Sequence, residues 1–250
     1  MKLQDVFDQL TTGEFSQMSI GGSAAGVIEE SNWPKVINHI NLGLIDLYKR
    51  FNLKEGRIKL LLQPGVTTYA IKSAYAVNNR SSRETVRYLE DSKAQPFKDD
   101  IQKIEKVLTD SGYELGLNDS TDPYAVFTPS AFVLRVPEII VDGSVDIPDQ
   151  LNTQDLVLVY RASHPRIDMG QEGCPFHPAR VEIELPDSHL EALLFYIASR
   201  ANNPVGMTNE FHAGNSYYAK YLASCQALND VNLQVDQGSQ NTRLQRNGWV

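Results

Sequence analysis

The chain has 250 residues, 42% hydrophobic and 22% charged, a usage that excludes a disordered tail protein, a fibrous repeat or a low-complexity assembly and allows one large domain or two modest ones. Its 23 basic and 31 acidic side chains leave a net charge of −8, without the basic surplus that tight nucleic-acid binding draws on. The longest apolar run, Ala192 to Ala198, falls far short of the roughly 20 residues that cross a bilayer, so no membrane contact is expected.

The first residues, Met1 to Val6, carry no secretory signal, so the protein is expected to begin in a cytoplasm. A short helix is predicted over Leu3 to Leu10, followed by a glycine-rich loop at Gly21 to Gly26. Trp33-Pro34 then opens a long helix reaching Phe51, because proline in the first turn loses no needed donor. Val36, Ile37, Ile40, Leu44, Leu47, Tyr48 and Phe51 recur at steps of three and four and form one apolar stripe. Leu42 and Ile45 fall off it, which predicts a second surface for this helix.

From Arg57 the pattern becomes strand, turn and strand: Ile58 to Leu62, Gln63-Pro64-Gly65, then Val66 to Ile71. Further strands are predicted at Ala131 to Val136, Glu138 to Val141, Leu156 to Arg161 and Arg180 to Leu185, enough for an antiparallel sheet or sandwich. Between them, Phe97, Ile101, Ile104 and Leu108 follow Pro96 at roughly helical spacing, which predicts a helical insertion over 82–110. Pro186-Asp187-Ser188 opens a helix over Leu190 to Ala201, apolar nearly all round and therefore enclosed on most sides. A last helix, Ala213 to Leu233, turns a stripe of Tyr218, Tyr221, Leu222, Cys225 and Leu228 toward it. Residues 234–250 read as an extended tail whose strong handles are Arg243, Leu244, Arg246 and Trp249.

The expected fold is therefore α+β. Residues 1–55 and 186–233 form a helical bundle, 56–185 an inserted β-rich domain with the helical insertion, and 234–250 a tail. The residues expected to carry bundle or subunit packing are Ile40, Leu44, Leu193, Leu194, Phe195, Ile197, Tyr218 and Tyr221.

Motifs for chemistry are sparse. Cys174 and His177, near Asp168 and Glu172, make one corner of a metal site without the second ligand pair zinc requires, and the bland alternative is a turn bounded by Pro175 and Pro178. The same pair lacks a third group to orient a base for nucleophilic catalysis. Cys174 and Cys225 are expected as free thiols. No phosphate-loop, zinc-protease or nucleophile-elbow pattern occurs. No catalytic residue, metal or cofactor is expected.

The order of segments carries a likeness. The Trp33-Pro34 start, the strand ending in Val66-Thr67-Thr68-Tyr69, the run Leu156 to Pro165, the Glu184-Leu185-Pro186 link, the helix Ala192 to Arg200 and the run Tyr217 to Leu222 together resemble the head-to-tail adaptor proteins of tailed bacteriophages. The likeness covers most of 33–233. It implies a structural virion protein with no enzymatic activity. Its copies, typically twelve, form a ring between the portal protein and the tail nozzle or tube, through which DNA passes without being held. Assembly in the host cytoplasm and residence at the head-tail interface follow from the same likeness. So does portal docking through Arg243, Leu244, Arg246 and Trp249.

Elementary physics agrees on two points. An acidic passage does not retain a polyanion, and a helix apolar on all sides suits a closed ring of heterologous contacts. Two other classes compete. A carbohydrate- or cell-surface-binding β-sandwich would present aromatics on strands, whereas Trp33 and Trp249 lie outside the predicted sheet. A hydrolase would rest on Cys174 or on paired carboxylates.

Overall fold

A computed structural model describes residues 1–16, 26–94, 96–141, 148–169, 176–202 and 208–231. In chain order they form helices α1 (Leu3–Thr12) and α2 (Trp33–Arg50), then strands β1 (Glu55–Leu61), β2 (Thr68–Ala70), β3 (Leu89–Glu90), β4 (Ile101–Thr109), β5 (Phe127–Ser130) and β6 (Val133–Arg135). The single helical turn α3 (Glu138–Val141), strand β7 (Asp155–Ala162) and helices α4 (Leu190–Ala201) and α5 (Thr208–Asp230) complete the order. The fold is mixed α+β, and the contacts divide the described residues into a helical unit, made of Met1–Leu53 and residues from His164 to Val231, and a β unit, Lys54–Ser163.

In the helical unit, α2 starts with Pro34 in its first turn and ends with Lys49 and Arg50 in its last, where cations suit the carbonyl end of the helix dipole. Its apolar stripe is buried together with Leu3, Val6, Phe7 and Leu10 of α1 and Ala192, Leu193, Ile197 and Ala198 of α4. Gly43 lets α2 and α4 approach closely, since a Cβ there would lie 2.7 Å from Leu193 Cδ1. The chain start is tied to 181–183, with Leu3 N–H donating to Val181 O and Ile183 N–H to Met1 O.

That tie corrects an expectation. The alternating Val181 to Leu185 makes only a bridge between Lys2 and Glu182, preceded by a 3-10 turn at Pro178–Arg180. Ile167, Ile183 and Leu185 belong to the helical core, so the chain leaves the β unit at Ser163 rather than at 185. The alternation is real, but its partner is the N-terminus.

In the β unit, β1 pairs with β7 along its whole length, and the antiparallel order is β3-β1-β7-β4, with a second sheet ordered β2-β6-β5. The two sheets share one core, in which Ile58, Leu60, Leu156 and Leu158 meet Tyr69, Ile71, Leu134 and Val136. The helical insertion over 82–110 is not formed; Ile101 to Thr109 is strand β4. Its register shifts between Ile101 and Lys103 and again between Ile104 and Lys106. Each bulge inserts a residue, so the inward positions fall at 101, 104 and 107, and a spacing of three imitates a helix. Glu138 to Val141 is likewise a helical turn, not a strand, with Ile140 N–H bonded to Pro137 O.

Candidate functional site

A helix of 18 residues that buries one stripe has an opposite side to account for. On α2 that side is not wholly polar: Leu42 and Ile45, the two residues that depart from the main stripe, stand 40% and 42% exposed. With Pro34 and Asn38 they line two adjoining hollows of about 280 and 460 Å³, bounded on the far side by the chain at 164–169. We call that segment the strap.

The strap is held by Asn41. This residue sits where the stripe calls for an apolar side chain, and it is 7% exposed. Its amide nitrogen donates to Ile167 O and its amide oxygen accepts from Ile167 N–H, both at 2.9 Å. His164 fixes one end: its Nε2 accepts from Glu184 N–H at 3.1 Å, and its ring stands edge-on to Tyr48. The acceptor role of Nε2 places the proton on Nδ1, facing Pro165 O. Tyr48 closes the corner by donating to Glu184 O. The result is an apolar groove beside α2, with Arg166 and Asp168 exposed on the strap.

A second polar corner joins α2, α4 and α5. The Asp46 carboxylate accepts from Tyr221 Oη and from Arg50 Nε, the latter at 2.8 Å. Burial pushes the Asp46 carboxyl up, but hydrogen bonds from Tyr221 and Arg50 outweigh it and hold the group below its ordinary value. Burial raises the Tyr221 hydroxyl far above its usual range, and the Asp46 hydrogen bond adds to that. Such a corner holds α2 and α5 together. Nearby, Asp46, Tyr196, Arg200 and Tyr218 border a hollow of about 310 Å³.

Of the packing residues expected from sequence, Ile40, Leu44, Leu193, Leu194, Ile197 and Tyr221 are buried and Phe195 is partly so. Tyr218 is 44% exposed and Leu222 41%, a correction to the α5 stripe. The inward face of α5 follows Gly214, Tyr221, Cys225 and Leu228 because a Cβ at residue 214 would lie 3.0 Å from Asn202 O, which fixes the side turned to α4. Tyr218 and Leu222 therefore look out.

Arg243, Leu244, Arg246 and Trp249 lie outside the described residues, as do Cys174 and Glu172. His177 is exposed, and among the described residues no group of three or more His, Cys, Asp and Glu is placed to hold a metal ion. No described helix is long and apolar enough to cross a membrane. Sequence reasoning missed Asn41, whose signal was a polar residue on the apolar face four positions after Ile37. A scan against protein-family models finds no match, and a search of curated proteins finds none either.

Proposed function

We propose that the protein is a structural virion component: a head-to-tail adaptor whose copies form a ring, twelve in the proteins it resembles, between portal and tail of a tailed bacteriophage. The observation that carries this reading is the pair of outward apolar surfaces on the helical unit, Leu42 with Ile45 on α2 and Tyr218 with Leu222 on α5. Segments from before and after the β unit build the helical unit, and two different surfaces on one subunit suit heterologous contacts that close into a ring.

The charge of −8 supports the passage role, since a duplex is retained by lysine and arginine that displace its counterions and not by an acidic wall. In this reading the protein has no catalytic step and no cofactor. Arg243, Leu244, Arg246 and Trp249 dock on the portal, a nozzle or tube protein binds the opposite side, and assembly takes place in the host cytoplasm. The test is immunogold labelling of cognate particles with antibody against the chain. Label confined to the neck between head and tail supports the proposal; label on fibres, on the capsid shell, or on nothing overturns it.

A further inference from the structure

Charge is not spread evenly over the β unit. Residues 72–87 hold four cations, Lys72, Arg80, Arg83 and Arg87, against the single acid Glu84, whereas 110–124 hold four acids, Asp110, Glu114, Asp119 and Asp122, and no cation. The fold sets these two segments on opposite flanks. In the sheet ordered β3-β1-β7-β4 the edges are β3 and β4, about 14 Å apart across three strand spacings. Residues 76–77 run along the outer edge of β3, through the Ala76–Leu89 bridge and Val77 N–H donating to Leu89 O. Residues 113–115 turn back along the outer edge of β4, where Thr109 N–H donates to Tyr113 O and Leu115 N–H to Val107 O. The second sheet keeps the same sides. Tyr88, next to β3, bonds both the N–H and the C=O of Ala70 in β2, while Val126 N–H, next to β5, donates to Gly116 O.

Both flanks are held in shape by their own bonds. On the basic flank the Arg87 guanidinium is turned inward and donates to the carbonyls of Val77, Asn79 and Ser82, which closes the loop and leaves Arg80 and Arg83 exposed upon it. The nearest acids are engaged elsewhere: Glu90 meets Lys59 at 3.6 Å, and the Asp91 carboxylate accepts from the Asn78 and Phe97 N–H groups. On the acidic flank Asp119 shapes its loop by accepting from Thr121 N–H at 2.9 Å, and Lys106 reaches Glu114 at 3.5 Å. Each flank also exposes large apolar side chains, Val77 and Val86 on the basic one and Tyr113 and Phe127 on the acidic one. Apolar groups bordered by charge are the make-up of a protein contact, and fixed loops lose little freedom in forming it.

We propose that the basic flank of one copy of this chain seats on the acidic flank of the next, with Arg80 and Arg83 meeting Asp110 and Asp119 while Val77 and Val86 cover Tyr113 and Phe127. The partner is a second copy because the two flanks complement each other in both charge and apolar surface, yet lie on opposite sides of one β unit and cannot meet within it. Like flanks repel, so the contact is head-to-tail and not two-fold. A head-to-tail contact leaves a free flank at each end and repeats from copy to copy, closing into a ring where the rotation allows. A polyanion would suit Arg80 and Arg83 alone and would leave the acidic flank without a role. The contact itself stands on the β unit, and only its closure into a ring rests on the adaptor reading.

The test is sedimentation of the full-length chain without any portal, from dilute to concentrated solution and at low and high salt. The expected result is association that grows with concentration and weakens as salt screens the exposed charges. The double variant Arg80→Glu with Arg83→Glu, and separately Tyr113→Asp, should each weaken association about tenfold or more, since each sets acid against acid or charge against an apolar group. Mixed together, the two variants should associate again, because the intact acidic flank of the first meets the intact basic flank of the second. They should stop at a pair, since the flanks left over are both acidic. Association that ignores salt, wild-type strength in either variant, a mixture that stays apart, or a chain monomeric throughout overturns the proposal. So does DNA retention that Arg80→Glu with Arg83→Glu abolishes without changing association, which assigns the basic flank to a polyanion. Association kept by both variants would point to the outward helical surfaces, and a chain monomeric alone can still form a ring on a portal, so this proposal and the adaptor reading fail separately.

Discussion

Asn41 couples α2 to a residue 126 positions away, and it does so with both halves of its amide. Asn41→Ala would leave the Ile167 N–H and C=O unpaired in a buried place, at a cost of about 2–4 kcal/mol for two lost hydrogen bonds. Urea unfolding should show that loss, and the Ile167 amide should exchange faster in the variant. A second position gives a pH signature. His189 is 1% exposed, its ring edge-on to Phe51 at 4.7 Å and its Nδ1 3.0 Å from Ser188 Oγ. Burial lowers its affinity for a proton below the ordinary value of 6.5. His39 shifts the same way through burial, with the charge of Arg200 adding to it. The unfolded chain therefore binds more protons than the folded one as pH falls through 6.5, and stability must drop in that direction. His189→Leu removes one such group, so its Tm should fall less than that of the wild type between neutral pH and pH 5. Parallel falls in both proteins would show that His189 does not drive the acid response.

The helices were legible in the sequence because their local signals agree with their packing. Pro34 opens α2, the proline and acid at 186–187 open the turn before α4, and the three-four periodicity marks what is buried. Strand β4 was not legible. Two bulges turned its inward spacing from two residues to three, and single-chain periodicity has no means of seeing the partner strand that makes them. The strap was hidden for a related reason, since its middle is tied by the Asn41 side chain of a helix distant in sequence. At α5 the axis and span were readable, but the face was set by Gly214 against α4, which moved Tyr218 and Leu222 outward. The crossing of α2 and α4 is tight in the same way. Gly43→Ala gains about 1 kcal/mol of helix propensity but drives a methyl into Leu193, fully buried, and the Tyr196 ring 3.0 Å away. Overpacking costs of about 1–3 kcal/mol should outweigh that gain, so the variant should be less stable by up to about 2 kcal/mol in urea unfolding. An increase in stability would mean that α4 yields at this crossing.

In the proposed particle, three properties of the chain act together. A helical unit built from segments on either side of the β unit exposes apolar side chains on α2 and α5, the net charge is −8, and Arg243, Leu244, Arg246 and Trp249 are the residues proposed to dock on a portal. Each has an ordinary explanation alone, and the adaptor reading is the one that uses all three. The measurement that tests it most directly is the mass of the purified chain by light scattering, alone and after mixing with portal rings of the same phage, with the mixture imaged by negative-stain microscopy. The account predicts a multi-copy collar seated on one end of each portal, with the chain's copy number fixed by the ring. A chain that remains near 28.0 kDa beside bare portals would contradict it.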